Sequence, residues 1–161
     1  MHTKREFISA IKENEGILYK VTRLYTNSTE DQKDLYQEIV YQLWKSYPSF
    51  KANSKISTWM YRVALNTAIS NLKKEQRKGT RVSVDNFLLN KIDEVDTVME
   101  ERITLLYAHI KKLSIVEKGI ILLHLEGKNY DDIAAITGFT KTNIGTRLAR
   151  IKQKLKSHIK K

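Results

Sequence analysis

The sequence predicts an all-α chain of two small helical domains joined by a linker, and three observations carry that prediction. Its 161 residues contain one Pro and only six Gly, so little interrupts long helices. Apolar residues recur at helical spacing in both halves. The charge falls into two basic lobes on either side of a slightly acidic segment that holds Asp85, Asp93, Glu94, Asp96, Glu100 and Glu101. The expected boundaries are residues 1–78 for the first domain, 79–97 for the linker and 98–161 for the second.

Phe7, Ile11, Ile17, Leu18, Val21 and Leu24 or Tyr25 give a first amphipathic helix, loosened at Gly16. A second runs from about Glu30 to Ser46, with Leu35, Ile39, Leu43 and Trp44 among its apolar positions. It ends before Tyr47-Pro48, because the residue ahead of a proline disfavours the α region. A short polar loop, Phe50 to Lys55, follows. Ser54 or Ser57 can then cap a third helix, whose core candidates are Ile56, Met60, Val63, Ile69 and Leu72. From Lys78 to Phe87 no helical period is sustained, which marks the linker.

The C-terminal segment reads as a helix-turn-helix. Ala134 is small where two helices would cross. Gly138, four residues on, suits a turn that needs positive φ. Ile144, six residues further, returns an apolar side chain to the shared core. Ile144, Leu148, Ile151 and Leu155 form one narrow stripe, and the opposite face carries Thr142, Thr146, Ala149 and Gln153. Asn143, Arg147, Arg150 and Lys154 flank that face, and no Asp or Glu occurs from Thr140 onward. A small, polar face with cations beside it suits a helix in a major groove.

Composition bounds the chemistry. A net charge of +11 points to a polyanionic partner, nucleic acid or an acidic membrane surface. With no Cys there is neither a disulfide framework nor a thiolate metal site. His2, His109, His124 and His158 are too dispersed to suggest zinc, so no metal and no cofactor is expected. No apolar run nears the roughly 20 residues of a membrane span. The N-terminus lacks a signal-peptide core, so a cytoplasmic protein without catalytic activity is expected.

Two constellations in the first half stand out. Asp34, Gln37 and Glu38, with Asp31 one turn earlier, form an acidic-amide patch in a basic domain. By itself it reads as a solvated helix face, as a protein-docking patch, or as metal ligands of a helical nuclease at Asp31, Asp34 and Glu38. On the third helix Trp59, Arg62 and Asn66 line adjacent turns of one face. An aromatic platform beside an amide and a cation is what recognition of an unstacked base uses, although a Trp at helical spacing, taken alone, reads first as core packing.

Asp34-Leu-Tyr-Gln-Glu-Ile-Val-Tyr-Gln-Leu-Trp44, then Phe50, then Ser57-Thr-Trp-Met-Tyr-Arg-Val-Ala-Leu-Asn-Thr-Ala68, resembles conserved region 2 of the bacterial sigma factors. Leu113 to Lys118, Leu122, Gly127, Tyr130-Asp-Asp-Ile-Ala134 and Gly138 through Leu155 resemble region 4. The similarity is greatest to the small two-domain extracytoplasmic-function class, and it covers nearly the whole chain in the right order. It implies a factor that binds core RNA polymerase, directs it to promoters and helps to melt DNA. Asp34, Gln37, Glu38 and Trp44 would dock on the clamp helices of the β′ subunit. Phe50, Asn53, Ser54, Lys55, Thr58, Trp59, Arg62 and Asn66 would hold the −10 non-template strand, with Lys73, Lys74 and Arg77 on phosphate. Thr140, Lys141, Thr142, Asn143, Thr146, Arg147, Arg150 and Lys154 would meet the −35 duplex. Further partners implied are the β flap and an anti-sigma factor.

The chain departs from the family pattern at Ser114 and Lys118, where Pro and Arg are frequent, at Asn143-Ile144 in place of Thr-Val, and at Gly145 inside the recognition helix. The alternative function is a helix-turn-helix regulator that acts without docking to polymerase.

Overall fold

The computed structural model describes residues 4–50, 55–77 and 97–159. Two compact units divide the chain, Met1–Phe87 and Leu88–Lys161. Among the described residues the elements are α-helices with one 3₁₀ turn, and no strand occurs.

The first unit contains α1 (Lys4–Glu13), α2 (Glu15–Tyr25), α3 (Thr29–Ser46), a 3₁₀ turn (Tyr47–Ser49) and α4 (Ile56–Arg77). The first helical period is broken at Asn14 and not at Gly16, which lies inside α2. The Asn14 amide donates to the Ala10 carbonyl at 2.9 Å, a local bond that competes with helix continuation. Ser28 caps α3 by accepting from the Asp31 N–H at 3.1 Å. Helices α2, α3 and α4 pack on one another. Leu18, Val21, Leu24, Leu35, Ile39, Leu43 and Met60 form the interior.

Helix α4 is rotated relative to expectation. Its buried residues are Thr58, Met60, Tyr61, Ala64, Leu65 and Ala68, whereas Ile56, Val63, Ile69 and Leu72 are half-buried. Ala64 and Ala68 allow the neighbouring helices to approach closely, and the larger aliphatics cover the margins. Ser57 lies within the first turn of α4 and is not its cap, and Ser54 is outside the described residues.

The second unit contains α5 (Thr97–Ile110), α6 (Ile115–Leu125), α7 (Tyr130–Thr137) and α8 (Lys141–Ile159). Ser114 and Glu117 form a reciprocal capping box at the start of α6. Asn129 caps α7, its side chain accepting from the Asp132 N–H at 2.8 Å. Helix α7 ends on Gly138 at φ 88°, whose N–H donates to the Ala134 carbonyl at 2.8 Å. That left-handed residue makes the turn into α8. Ile144, Leu148, Ile151 and Leu155 are all buried, as the stripe predicted, and α8 packs on α5, α6 and α7.

Candidate nucleic-acid interfaces

In the first unit a polar groove of about 660 Å³ runs between α3 and α4. Asp31, Asp34, Leu35, Glu38 and Gln42 line it from α3, following the three- and four-residue steps of one helix face. Asn66, Thr67, Ser70, Asn71, Lys74 and Glu75 line it from α4. The Gln42 amide donates to Glu38 Oε1 at 3.0 Å. The acidic patch and Asn66, separate features in the sequence, therefore share one groove. Gln37 is exposed and does not line it. Among the described residues no group of three or more His, Asp or Glu is arranged to hold a metal ion.

The aromatic platform is neither core nor bare surface. Trp59 is half-buried and stacks on Phe50, with centroids 4.9 Å apart and planes at 30°. Arg62 and Asn66 are exposed one and two turns along α4, and Lys73, Lys74 and Arg77 are exposed at its end. Lys55 is exposed, and its carbonyl accepts from the Trp59 N–H at 3.2 Å. Thr58 corrects the expectation. It is only 4 % exposed because it shares a helix face with Tyr61, Leu65 and Ala68, so its side chain is not offered to a strand. Asn53 and Ser54 lie outside the described residues. Trp44 remains 45 % exposed, with one edge against Phe7.

In the second unit the outward face of α8 presents Thr142, Asn143, Thr146, Ala149, Arg150 and Gln153, all exposed. Thr140 is exposed, but its hydroxyl caps the helix by accepting from the Asn143 N–H at 3.1 Å. Lys141 reaches Asp131 at 3.6 Å in solvent. Arg147 is held on the shoulder of the helix. Its Nε donates to Asn143 Oδ1 at 2.5 Å, and its guanidinium lies 4.2 Å over the Phe139 ring. Lys154, expected at DNA, is exposed and its ammonium donates to Glu117 Oε2 at 2.7 Å.

Sequence reasoning missed Glu117, Phe139 and Tyr130. The Ser114-x-x-Glu117 spacing was a visible capping-box signal. Nothing local announced the bond to Lys154, 37 residues away. Gly145 faces the Tyr130 ring, which would lie 3.5 Å from an added Cβ. Burial tends to raise the Glu117 carboxyl, but hydrogen bonds from Lys154 and Ser114 outweigh it and leave its pKa below the ordinary value. Burial lowers the pKa of Lys118.

Residues 10–78 match the family model of Sigma-70 region 2, and residues 103–155 match that of Sigma-70, region 4. Together they span most of the chain. The chain is 28 % identical over 154 residues to an ECF RNA polymerase sigma-E factor of Haemophilus influenzae, covering 87 % of this chain and 82 % of that protein. It is 28 % identical over 141 residues to the ECF RNA polymerase sigma-E factor of Escherichia coli strain K12, covering 80 % and 74 %. Among solved structures, the sigma factor RpoE in complex with the anti-sigma factor NepR from Bartonella quintana is similar in fold. Its TM-score is 0.73 at 21 % identity, over 98 % of this chain and 96 % of that one. CnrH in complex with the cytosolic domain of CnrY is similar at TM-score 0.70 and 17 % identity, over 98 % and 90 %.

Proposed function

The chain belongs to the sigma-70 family, its two regions matching in the family's order, and on that premise we propose that its two domains divide promoter recognition between melted and duplex DNA. It is a sigma factor of the extracytoplasmic-function class and directs RNA polymerase to promoters. The observation that carries the division is the contrast between two helix faces. Helix α4 offers a stacked aromatic pair, Phe50 and Trp59, beside exposed Arg62 and Asn66. Helix α8 offers small polar side chains beside Arg150 and no carboxylate.

On this reading the face of α4 receives an unstacked base of the −10 non-template strand. Stacking holds the base, Asn66 reads its edge, and Lys73 and Arg77 contact phosphate. The exposed face of α8 enters the major groove of the −35 element, with Thr142, Asn143, Thr146 and Arg150 nearest the bases and Lys141 toward the backbone. Asp34, Gln37, Glu38 and Trp44 dock on the β′ clamp helices, and the second unit on the β flap. Residues 1–78 and 98–161 act as the two recognition domains, with 79–97 as linker.

Polymerase makes the bonds, and this subunit supplies recognition and strand separation without metal or nucleotide. It works in the cytoplasm. Among the described residues no helix is long and apolar enough to cross a membrane. The two solved relatives are each bound by another protein, in one case named as an anti-sigma factor, which supports control of this chain by such a factor. Pull-down with core RNA polymerase, followed by run-off transcription from a promoter library, tests the function. Failure to bind core, with retained duplex binding, would favour a regulator that acts without polymerase.

A further inference from the structure

Five aromatic rings, Trp44, Phe7, Tyr47, Trp59 and Phe50, run in continuous contact through the first unit, and one of them, Phe7, lies outside the matched family region. Phe7 of α1 precedes residue 10, where the Sigma-70 region 2 match begins. Its side chain is 6 % exposed and touches two other rings. It meets Trp44 at 5.0 Å with planes at 61°, and Tyr47 at 5.2 Å with planes at 57°. Tyr47 is also 6 % exposed and lies 5.9 Å from Trp59 at 40°, and Trp59 stacks on Phe50. Both tryptophans of the chain thus lean on one phenylalanine, Trp44 directly and Trp59 through Tyr47.

A neighbouring ring sets the tilt of an indole through its quadrupole. An aliphatic side chain of similar size fills the space without imposing that orientation. The orientation matters most for partly exposed rings, because no surrounding core holds them. Trp44 is 45 % exposed and Trp59 half-buried.

We infer that Phe7 is a positioning residue shared by both tasks of this unit. It orients Trp44 for polymerase docking and, through Tyr47, Trp59 for strand capture. Helix α1 is therefore part of the initiation machinery. This rests on the proposed roles of Trp44 and Trp59.

The test uses reconstituted holoenzyme with Phe7→Leu, Phe7→Met, Phe7→Tyr, Trp44→Leu, Trp59→Leu and Tyr47→Leu. Affinity for core is read by competition, and promoter opening by permanganate reactivity at saturating holoenzyme. Near-UV circular dichroism of the free chain reports the ring contacts, and thermal melts separate misfolding from misorientation. Trp44→Leu should weaken core binding alone, and Tyr47→Leu and Trp59→Leu should weaken opening alone. Phe7→Leu and Phe7→Met should each lose both, by roughly three- to tenfold, at temperatures where they remain folded. Phe7→Tyr, which keeps the ring, should restore both. Wild-type values for both readouts in folded Phe7→Leu, or a loss that Phe7→Tyr does not restore, overturns the inference alone. Wild-type behaviour of Trp44→Leu and Trp59→Leu overturns the proposed sites and the inference together.

Discussion

Lys154 Nζ lies 2.7 Å from Glu117 Oε2, so the later part of the recognition helix is tied to the capping box that starts α6. Glu117 uses its other oxygen to accept the Ser114 N–H at 3.0 Å. One carboxylate thus closes a helix N-terminus and anchors a second helix.

That bond makes the second unit sensitive to acid. The folded pKa of Glu117 is depressed, so its contribution is fully present above the ordinary carboxylate value of about 4.3 and is lost as pH falls through the folded value. Glu117→Gln should lower the melting temperature at neutral pH and flatten its fall below about pH 4.5. Thermal melts across pH check this. An unchanged acid limb would show that Glu117 does not govern it.

Gly145 is a site where stability can be gained. It lies within α8, and an added Cβ meets the Tyr130 ring at 3.5 Å, an ordinary contact. Gly145→Ala should stabilise the unit by about 1 kcal/mol through helix propensity. Gly138→Ala should do the opposite, by roughly 1–2 kcal/mol, because φ is 88° there. Denaturant titration of both variants measures the contrast in sign.

The docking assignment predicts a selective loss. Asp34 and Glu38 are exposed beside the α3–α4 groove, so Asp34→Lys or Glu38→Lys should leave the fold intact. Affinity for core polymerase should fall on the order of tenfold. Competition against wild type for core is the measurement, and equal affinity removes these residues from the interface.

The two DNA contacts should separate by the form of DNA that each reads. Asn66→Ala should impair opening on a promoter with an intact −35 element and leave duplex binding unchanged. Arg150→Ala should weaken −35 duplex binding and, if it contacts phosphate, reduce the salt slope by about one. Lys154→Ala should reduce that slope less, because its ammonium is already paired with Glu117. Permanganate footprinting and salt-dependent duplex titration report the two effects. Full melting by Asn66→Ala together with unchanged −35 binding by Arg150→Ala would reject the division of labour.

Sequence alone determined what depends on a few consecutive turns. The Ile144–Leu155 stripe, the Gly138 turn and the helical class all follow from side-chain spacing and from the backbone freedom of Gly. Helix α3 does stop at Ser46, but Tyr47 ahead of Pro48 keeps α-region angles (φ −57°, ψ −41°) and leads into the 3₁₀ turn, so the restriction before proline is not what ends it. Tertiary structure decided which face of each helix is buried when several faces are partly apolar. That is why α4 turns Thr58 inward and leaves Ile56, Val63, Ile69 and Leu72 half-buried. It also decided every pairing between residues far apart in the chain: Lys154 with Glu117, Phe7 with Trp44, and Asn66 in one groove with Asp34 and Glu38. Helical periodicity places a side chain around its own axis. Which neighbour it meets depends on how the helices cross, and that is set by the volumes of all the packed residues together.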